Sequence, residues 1–569
     1  MSVTLTRRGF GALTFGPLAM AALPGWAQGA ARPIAMNLAS VTDWATQQPF
    51  LDIMKTARRW IGHRPGQWGG VEFDTLAALG LLDDDGWPVR IPSDLGSIGT
   101  LILTDIPEAA DLAGRYVLRF DGDGIVEVSG RARNKRYGKN KVSFDYTPGP
   151  GPVEIRIQRS DRRGSGDYVR NITVTRQEDR AALAAGGVFR PGFLDMLRGV
   201  AALRFMDWMN TNDSEQVDWN TRPRPGDFSY TRGGVPIEVM VDLANSLEAD
   251  AWFNMPHLAD DAYVRSFAEL VKARLDPARR VYVEHSNEVW NWQFLQTDWS
   301  DAQAEARWGQ QHRGMQFHGM RAAQVAQIWA QVFSGADRKR LINVIATQTG
   351  WLGLERDILG APLYVAEDPA QNRPPHEAFD AYAVTGYFGH SLGTDQFGDL
   401  MHDWLEQSRA AAEAEATEQG LTGAALADYI EVHRHDAAVV LAAKELRDGS
   451  VTGDAVDSVA DLLDRVLPYH AAVAAEHGLQ LLMYEGGSHV VGIGGQVNDE
   501  ALTAFFTYLN YTSQMGALYD ELLAGWFALT GGIFCHYADM QAPGKWGSWG
   551  ALRYPGDANP RWDAIARLL

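Results

Sequence analysis

Cysteine is almost missing from this sequence, with Cys535 the single example in 569 residues. One thiol excludes an intramolecular disulfide, so the stability of the fold has to come from its core. Cys535 lies in an apolar, strand-like run, and we therefore expect a buried structural thiol there rather than a nucleophile.

Positive charge is also in short supply, because 71 Asp and Glu outnumber 51 Lys and Arg and give a formal net charge of −20. Binding to nucleic acid needs clustered Lys and Arg that release counterions from the phosphates, so we exclude a nucleic-acid partner. The exception is RARNKRYGKNK at 131–141, which has six basic residues in eleven. Such a run is usually a solvated hairpin, and the alternative is a binding site for an anionic glycan.

Three signatures of other chemistries are absent. No Gly-rich phosphate loop follows the first strand-like run, and no Gly-x-Ser-x-Gly elbow follows a strand. Two clusters of metal-ligand residue types, HLADD at 257–261 and HRHD at 433–436, lack the His i/i+4 spacing of helical zinc sites. We therefore predict no cofactor and no metal.

A long apolar run is present only near the N-terminus. TRRGF at 6–10 fits the twin-arginine export signature, an apolar stretch follows at 11–23, and small residues lie around 25–27. The stretch is too short to span a bilayer. We predict a signal peptide over 1–27, cleaved after Ala27, and a periplasmic or extracellular protein without membrane attachment after cleavage.

Residues 85–177 contain short β-type runs separated by Gly, Pro, Asp and Asn turns. These runs are GTLILTDI, GRYVLRFDG, GIVEVSG, KVSFDYT, VEIRIQRS and NITVTR. The pattern predicts a compact β-sandwich inserted into the chain. Residues 28–84 before it begin with the strand-like PIAMNL and continue with PFLDIMKTARRWIG at 49–62, whose spacing predicts a helix.

Strand and helix patterns alternate through 178–569. Strand-like runs occur in ALRFMDW, ADAWFNMP, VYVEHSNE, LINVIATQ, FDAYAVTGY, LQLLMYEGG and GGIFCHYADM, and long Ala-rich helical stretches lie at 401–447 and 452–477. With PIAMNL the strands number eight, as in a (β/α)8 barrel. We predict an α/β fold of this type, a TIM barrel that starts at 28–84, is interrupted by the sandwich and carries a helical insertion at about 401–450.

Polar residues follow several of these strands, where a TIM barrel places its functional groups. Carboxylates on the tips of strands four and seven can face each other across a cleft. Hydrolysis of a glycosidic bond needs two such groups, one protonated to release the leaving oxygen and one ionised to attack the anomeric carbon. In strand order, the candidate residues are Arg204, His257, Asn287, Glu288, Tyr387 and Glu485.

The fourth-strand run VEHSNEV resembles the signature of clan A retaining glycoside hydrolases, in which an apolar or aromatic residue leads into Glu-x-x-Asn-Glu. The seventh-strand run LLMYEGGSH is similar to the corresponding ending in that clan. The resemblance covers about 37–80 and 180–569 and does not single out one family. It implies that Glu288 is the general acid/base, Glu485 the nucleophile and Asn287 a ligand of the sugar 2-hydroxyl. The 197 positions between the two glutamates are a departure from the clan's pattern, for which the helical insertion accounts.

The other candidates each have two interpretations. Tyr387 either hydrogen-bonds the nucleophile or packs at the rim, whereas Arg204 and His257 are candidates to bind sugar hydroxyls or to orient carboxylates. Glu284 is expected to be a buried, hydrogen-bonded carboxylate. Four tryptophans that follow strands four and eight are predicted either to form sugar platforms or to pack in the structure: Trp290, Trp292, Trp546 and Trp549.

These patterns favour an exported retaining glycoside hydrolase that acts on a β-linked polysaccharide or oligosaccharide through a covalent glycosyl-enzyme intermediate. Two hypotheses from other classes stay open. One is a noncatalytic carbohydrate-binding barrel, and the other is a metal-dependent hydrolase that uses His257, Asp260 and His536. A transglycosylase would have the same residues. The sequence does not indicate the sugar, the linkage, internal or terminal attack, or the oligomeric state.

Overall fold

The computed structural model describes residues 33–569, so the predicted signal segment at 1–27 lies outside the described residues. The strands are, in chain order, β1 (Ile34–Asn37), β2 (Ile61–His63), β3 (Gly70–Val71), β4 (Ser97–Ile102), β5 (Gly114–Asp121), β6 (Gly124–Gly130), β7 (Arg133–Gly138), β8 (Lys141–Tyr146), β9 (Val153–Ser160), β10 (Arg170–Arg176), β11 (Ala202–Arg204), β12 (Asp250–Met255), β13 (Val281–His285), β14 (Leu341–Ala346), β15 (Ala381–Phe388), β16 (Gln480–Ser488) and β17 (Phe534–His536).

The α-helices fall mostly between the later strands. They are α1 (Phe73–Ala78), α2 (Arg180–Ala184), α3 (Pro191–Met196), α4 (Ile237–Leu247), α5 (Asp261–Arg274), α6 (Leu295–Trp308), α7 (Gly314–Val332), α8 (Glu355–Gly360), α9 (Pro362–Glu367), α10 (Gly398–Glu418), α11 (Gly423–His433), α12 (Asp436–Asp448), α13 (Val459–Asp461), α14 (Leu467–Glu476), α15 (Glu500–Leu509), α16 (Ser513–Leu529) and α17 (Pro560–Ala566).

Eight parallel strands close into a barrel in the order β1, β11, β12, β13, β14, β15, β16 and β17. The ring closes because β1 pairs with β11 on one side and with β17 on the other. The strands are short and apolar because both of their faces are covered, by side chains in the barrel interior and by helices outside. The predicted TIM barrel is confirmed.

Two antiparallel sheets lie between β1 and β11 in the chain. One has the order β10, β5, β8, β7 and the other the order β3, β2, β4, β9, β6. Apolar side chains that alternate along β4, β5, β8 and β9 form one core between the two sheets, separate from the barrel core. The prediction of an inserted, sandwich-like β domain is therefore confirmed.

The helix predicted at 49–62 is wrong. Only a single 3-10 turn forms, at Ile53–Thr56, and the chain then continues into β2, which pairs with β3 and β4. The Asp52 carboxylate accepts hydrogen bonds from the amides of Met54 (3.1 Å) and Val174 (2.8 Å), and it thereby fixes this segment against β10. Trp60 is completely buried in the sandwich core. Contacts with the sandwich thus override the helical spacing, and the antiparallel sheets take strands from Ile61 onward, ahead of residue 85.

The basic run at 131–141 forms the outer strand β7 and its hairpin to β8. Every residue of β7 is exposed. Charged side chains on an open strand discourage pairing with a second molecule, which is one function of this run in the fold. The hairpin fits the interpretation of a solvated charge run, and the anionic-glycan alternative stays a prediction.

The helical insertion after the sixth barrel strand consists of α10, α11 and α12. The second predicted stretch is helical only from Val459, through α13, a π-helical turn at Leu462–Val466, and α14. Residues 452–458 are not helical because the Glu445 carboxylate accepts from the amides of Val451 and Thr452 and from the Thr452 hydroxyl, which holds a turn.

Two further expectations concern single features. Cys535 is buried in β17, and burial raises the pKa of its thiol, so the thiol is structural as predicted. Within residues 33–569, none of the helices combines the length and the apolar character that a bilayer crossing would need.

We expect a Gly319→Ala substitution to destabilise the barrel. Gly319 lies where α7 crosses α8, and a Cβ there would overlap the backbone carbonyl of Ile358. Alanine normally favours a helix over glycine, but this overlap should lower the free energy of unfolding by about 1–3 kcal/mol. Denaturant unfolding measures the change. The control is Gly138→Ala, whose Cβ meets nothing within 4 Å and should leave stability within about 0.5 kcal/mol; equal losses in both variants would contradict the argument.

Candidate active site

A fully buried guanidinium, that of Arg204 at the end of β11, lies at the centre of the barrel mouth. Its Nη1 donates to Glu485 Oε1 (2.6 Å) and to Asn37 Oδ1 (3.1 Å). Its Nε and Nη2 donate to Glu284 Oε2 (3.2 and 2.9 Å), and Nη2 also donates to Asn287 Oδ1 (2.9 Å). Arg204 thus orients carboxylates, which was one of its two predicted roles, and it joins groups from β1, β13, β16 and the turn after β13.

Glu284 is a buried carboxylate whose Oε2 atom accepts three hydrogen bonds. Besides the two bonds from Arg204, its Oε2 accepts from Trp252 Nε1 at 3.0 Å. This is the environment expected from the sequence for a carboxylate that stays in the barrel core rather than reaching a substrate.

A β-bulge in β16 brings two consecutive side chains to the mouth. Val384 pairs with Met483 and Thr385 pairs with Glu485, so Tyr484 is the extra residue. In a regular strand Tyr484 and Glu485 would point to opposite faces. Here the Tyr484 hydroxyl donates to Glu288 Oε1 at 3.0 Å, while Glu485 accepts from Arg204. The bulge therefore supplies Glu288 with a donor from the strand that carries Glu485.

Glu288 lies in a strained turn directly after β13. Ser286 and Glu288 have φ values of 61° and 41°, a region that residues other than glycine rarely adopt. Asn254 Nδ2 donates to the Ser286 carbonyl at 2.9 Å and holds the turn. Glu288 Oε2 accepts from Asn291 Nδ2 at 3.0 Å. The half-buried Glu288 carboxylate is therefore held by two neutral donors, Tyr484 and Asn291.

Glu485 is buried and has one charged and one neutral donor. Its Oε2 accepts from the Tyr387 hydroxyl at 2.9 Å, the contact proposed for Tyr387 from the sequence. Burial raises the pKa of Glu485 to about 8; Arg204 and the Tyr387 hydrogen bond lower it, and the negative charge of Glu288 raises it. The raised pKa means that the Glu485 carboxyl holds a proton at neutral pH in the substrate-free protein.

Asn287 is locked by its neighbours. Its Oδ1 accepts from Arg204, and its Nδ2 donates to Asn212 Oδ1 at 3.1 Å. Gln296 Nε2 donates both to Asn212 Oδ1 (2.9 Å) and to the Asn287 carbonyl (2.8 Å). The amide is thus pre-oriented beside the candidate acid/base, and its contact with a sugar hydroxyl stays a prediction.

His257 and Trp290 are both buried at the mouth. The His257 ring contacts the edge of Trp299, its Nδ1 has no hydrogen-bond partner among the described residues, and burial lowers the pKa of its imidazole to about 4. His257 is therefore neutral at pH 7. Trp290 packs against Tyr484 and His318 and is 7% exposed, which fits packing better than an open platform.

The tryptophans after β17 differ from each other. Trp549 packs on the rings of Tyr387, Tyr537 and His489. It thereby supports Tyr387, the residue whose hydroxyl donates to Glu485. Trp546 is 69% exposed. Of this pair, only Trp546 is free to serve as a platform.

The residues of the metal-dependent alternative have other partners. The Asp260 carboxylate caps α5 by accepting from the Tyr263 amide at 2.7 Å. His536 lies between the Tyr519 hydroxyl and the Ala538 carbonyl, at 3.2 Å from each. Across the part of the chain that the structure describes, no group of three or more His, Cys, Asp and Glu side chains is arranged to hold a metal ion.

No protein-family model and no curated protein matches this sequence. Among solved structures, the chain is similar to fungal β-1,4-galactanases at 10% identity, over 68% of this chain and 97% of that chain, with a TM-score of 0.30. It is also similar to a calcium-binding mutant of Bacteroides uniformis β-glucuronidase 2 at 8% identity, over 81% of this chain and 46% of that chain, with a TM-score of 0.27. At these TM-scores neither likeness carries an argument about the site, and we assign no family.

We expect Arg204→Met to be strongly destabilising, because it leaves the carboxylates of Glu284 and Glu485 buried without their cation. Breaking a buried ion pair in this way costs about 3–5 kcal/mol. The matched control is Arg115→Met in the sandwich, which removes a partly exposed ion pair with Asp145 at 2.8 Å and should cost under about 1 kcal/mol. Thermal and denaturant unfolding of the two variants compare the losses, and a loss at Arg204 no larger than at Arg115 would refute the assigned role.

Proposed function

We propose that this protein is an exported retaining glycoside hydrolase that cleaves β-glycosidic bonds in a polysaccharide or oligosaccharide. The proposal depends chiefly on one observation: glutamates from the tips of the fourth and seventh barrel strands share a site, where Tyr484 donates to Glu288 and the charge of Glu288 raises the pKa of its neighbour Glu485. Two interacting carboxyl groups that hold one proton are what a glycosidase needs. The predicted twin-arginine segment supports export.

In the proposed first step, Glu485 attacks the anomeric carbon. A bond forms between its carboxylate oxygen and that carbon, the glycosidic bond breaks, and Glu288 gives its proton to the departing oxygen. In the second step Glu288 takes a proton from water, and the water oxygen displaces Glu485. The scheme requires the proton on Glu288 and an ionised Glu485. The Arg204 guanidinium, which donates directly to Glu485, favours its ionised form, whereas both donors to Glu288 are neutral.

The surrounding residues hold these groups in place before the substrate arrives. Arg204 and Tyr387 each fix one oxygen of Glu485, so the carboxylate does not have to reorient for attack. Asn287 is held next to Glu288 by Arg204 and Asn212 and can present its amide to a sugar hydroxyl after a small adjustment.

The first test replaces each glutamate with glutamine. Glu288→Gln and Glu485→Gln should each lower kcat/KM on aryl β-glycosides by at least about 10²-fold, the lower end for losing a general acid–base group. Glu413→Gln, an exposed position on α10, is the control and should keep full activity. Circular dichroism checks that each variant is folded. Unchanged turnover in both site variants would refute the proposed roles, and retained sugar binding without turnover in the unsubstituted protein would favour the noncatalytic alternative.

The anomeric outcome tests double displacement. Two successive displacements at one carbon restore the starting configuration, so the first product seen by proton NMR should be the β-anomer. Azide can replace the missing group in the alanine variants: Glu288→Ala should yield a β-glycosyl azide and Glu485→Ala an α-glycosyl azide. An α-anomer as the first product of the unsubstituted enzyme would exclude the retaining mechanism.

The pH profile follows from the raised pKa of Glu485. Attack needs the ionised carboxylate, and burial raises its pKa to about 8 in the free enzyme, so kcat/KM should rise with pH up to about 8. A dinitrophenyl glycoside needs little protonation of its leaving group but still depends on attack by Glu485, so it should show the same rise. An acid limb near the ordinary glutamate pKa of about 4.3 would contradict this assignment.

A further inference from the structure

Four indole side chains around the barrel mouth are at least half exposed. They are Trp44 (56%), Trp292 (77%), Trp351 (50%) and Trp546 (69%). Tryptophan is usually well buried, because transfer of its large apolar ring out of water is favourable. Several such rings on the loops of one barrel face are a feature that the fold itself does not require.

The strand order places these rings in two pairs on opposite sides of the mouth. Trp44 follows β1 and Trp546 follows β17, and these strands are neighbours in the barrel. Trp292 follows β13 and Trp351 follows β14, which are also neighbours. Two strands separate the pairs on each side of the ring: β11 and β12 on one, β15 and β16 on the other. The strands that carry the two pairs are therefore diametrically opposed in the barrel.

The Trp292–Trp351 pair is connected to the candidate acid/base. The two ring centroids are 6.1 Å apart and the planes are inclined by 51°, which forms an angled apolar shelf. Trp292 directly follows Asn291, whose side chain donates to Glu288. The Trp351 backbone amide donates to Gln348 Oε1, which holds the backbone that carries the second ring. The shelf thus begins one residue beyond a side chain that contacts the Glu288 carboxylate.

On the opposite side, a cation lies over each ring and steadies it. The Arg58 guanidinium is 5.3 Å from the Trp44 ring centroid and is held by a bidentate pair with Asp43. The Lys545 ammonium is 4.7 Å from the Trp546 ring and donates to Asn498. Such contacts occupy one face of an indole and leave the ring largely exposed.

We infer that the mouth binds a polysaccharide chain that extends to both sides of the two glutamates, and that cleavage is therefore internal to the chain. This inference depends on the proposed function. Sugar rings present apolar C–H faces that stack on indoles, so exposed indoles on each side provide contacts for units before and after the scissile bond. An enzyme that removes terminal units needs such contacts mainly on one side.

The test compares paired substitutions with a matched control. The variants are Trp292→Ala/Trp351→Ala and Trp44→Ala/Trp546→Ala, and the control is Trp68→Ala, an indole that is 54% exposed on the sandwich hairpin between β2 and β3. Probes are mixed-linkage β-glucan, xylan, β-1,4-galactan and carboxymethyl cellulose, together with an aryl monoglycoside. On the polymer that the unsubstituted enzyme cleaves, each paired variant should have a kcat/KM about tenfold lower than that of the unsubstituted enzyme. The decrease on the polymer should be at least about fivefold larger than the decrease on the aryl glycoside. Trp68→Ala should match the unsubstituted enzyme on both.

The products give a second readout. Internal cleavage lowers polymer viscosity early, while few reducing ends have formed, and releases fragments of mixed length. Release of single sugars from the start with little change in viscosity would overturn the inference, and so would a loss confined to one tryptophan pair. In either case, turnover of the aryl glycoside would leave the proposed function standing.

Absence of all turnover would instead count against the proposed function. Gel retardation by the same four polymers then tests the inference separately. Slower migration of the unsubstituted protein that both paired variants lose would support a bound chain at the mouth. Equal migration of all variants in every polymer would overturn it.

Discussion

One buried cation determines how this site is built. The Arg204 guanidinium has no exposure to solvent, and desolvating such an ion costs several kcal/mol unless its donors are satisfied. Here five hydrogen bonds reach Asn37, Glu284, Glu485 and Asn287. The same side chain therefore contacts a carboxylate of the barrel core and the candidate nucleophile. Stability of the barrel and geometry of the site are coupled through it, and an Arg204 variant cannot be interpreted by activity alone.

The backbone departs from regular geometry beside both glutamates. Tyr484 forms a bulge in β16 next to Glu485, and Ser286 and Glu288 have positive φ values in the turn after β13. Strain of this kind persists only where neighbouring contacts hold it, as Asn254 does for the turn after β13. A regular strand would have directed Tyr484 away from Glu288, and Glu288 would then lack one of its two donors.

The barrel could be predicted from the sequence because its strands are short, apolar and separated by helical spacing, which are local properties. Glu288 and Glu485 could be proposed because their position at strand ends is also local. The helix at 49–62 was mispredicted because its apolar residues serve the sandwich core, and Asp52 bonds to Val174, 122 positions away. Tyr484 and Asn212 were missed for the same reason, because they act through a bulge and through contacts between residues distant in sequence. Asn291 contacts Glu288 locally, in a turn whose backbone conformation strand alternation cannot reveal.

The path of the chain sets an order of events during folding. All strands of the sandwich precede residue 177, although Phe228 later joins its core. In contrast, β1 pairs with β11 on one side and with β17, about 500 positions away, on the other. Pairings so distant in sequence form slowly, since a long loop must close first. Until β17 is in place, β1 and β16 present open strand edges at which another chain can pair. During synthesis there is therefore an interval in which all the sandwich strands have been made but the barrel is still incomplete. Aggregation during production should start at the open strand edges of the barrel.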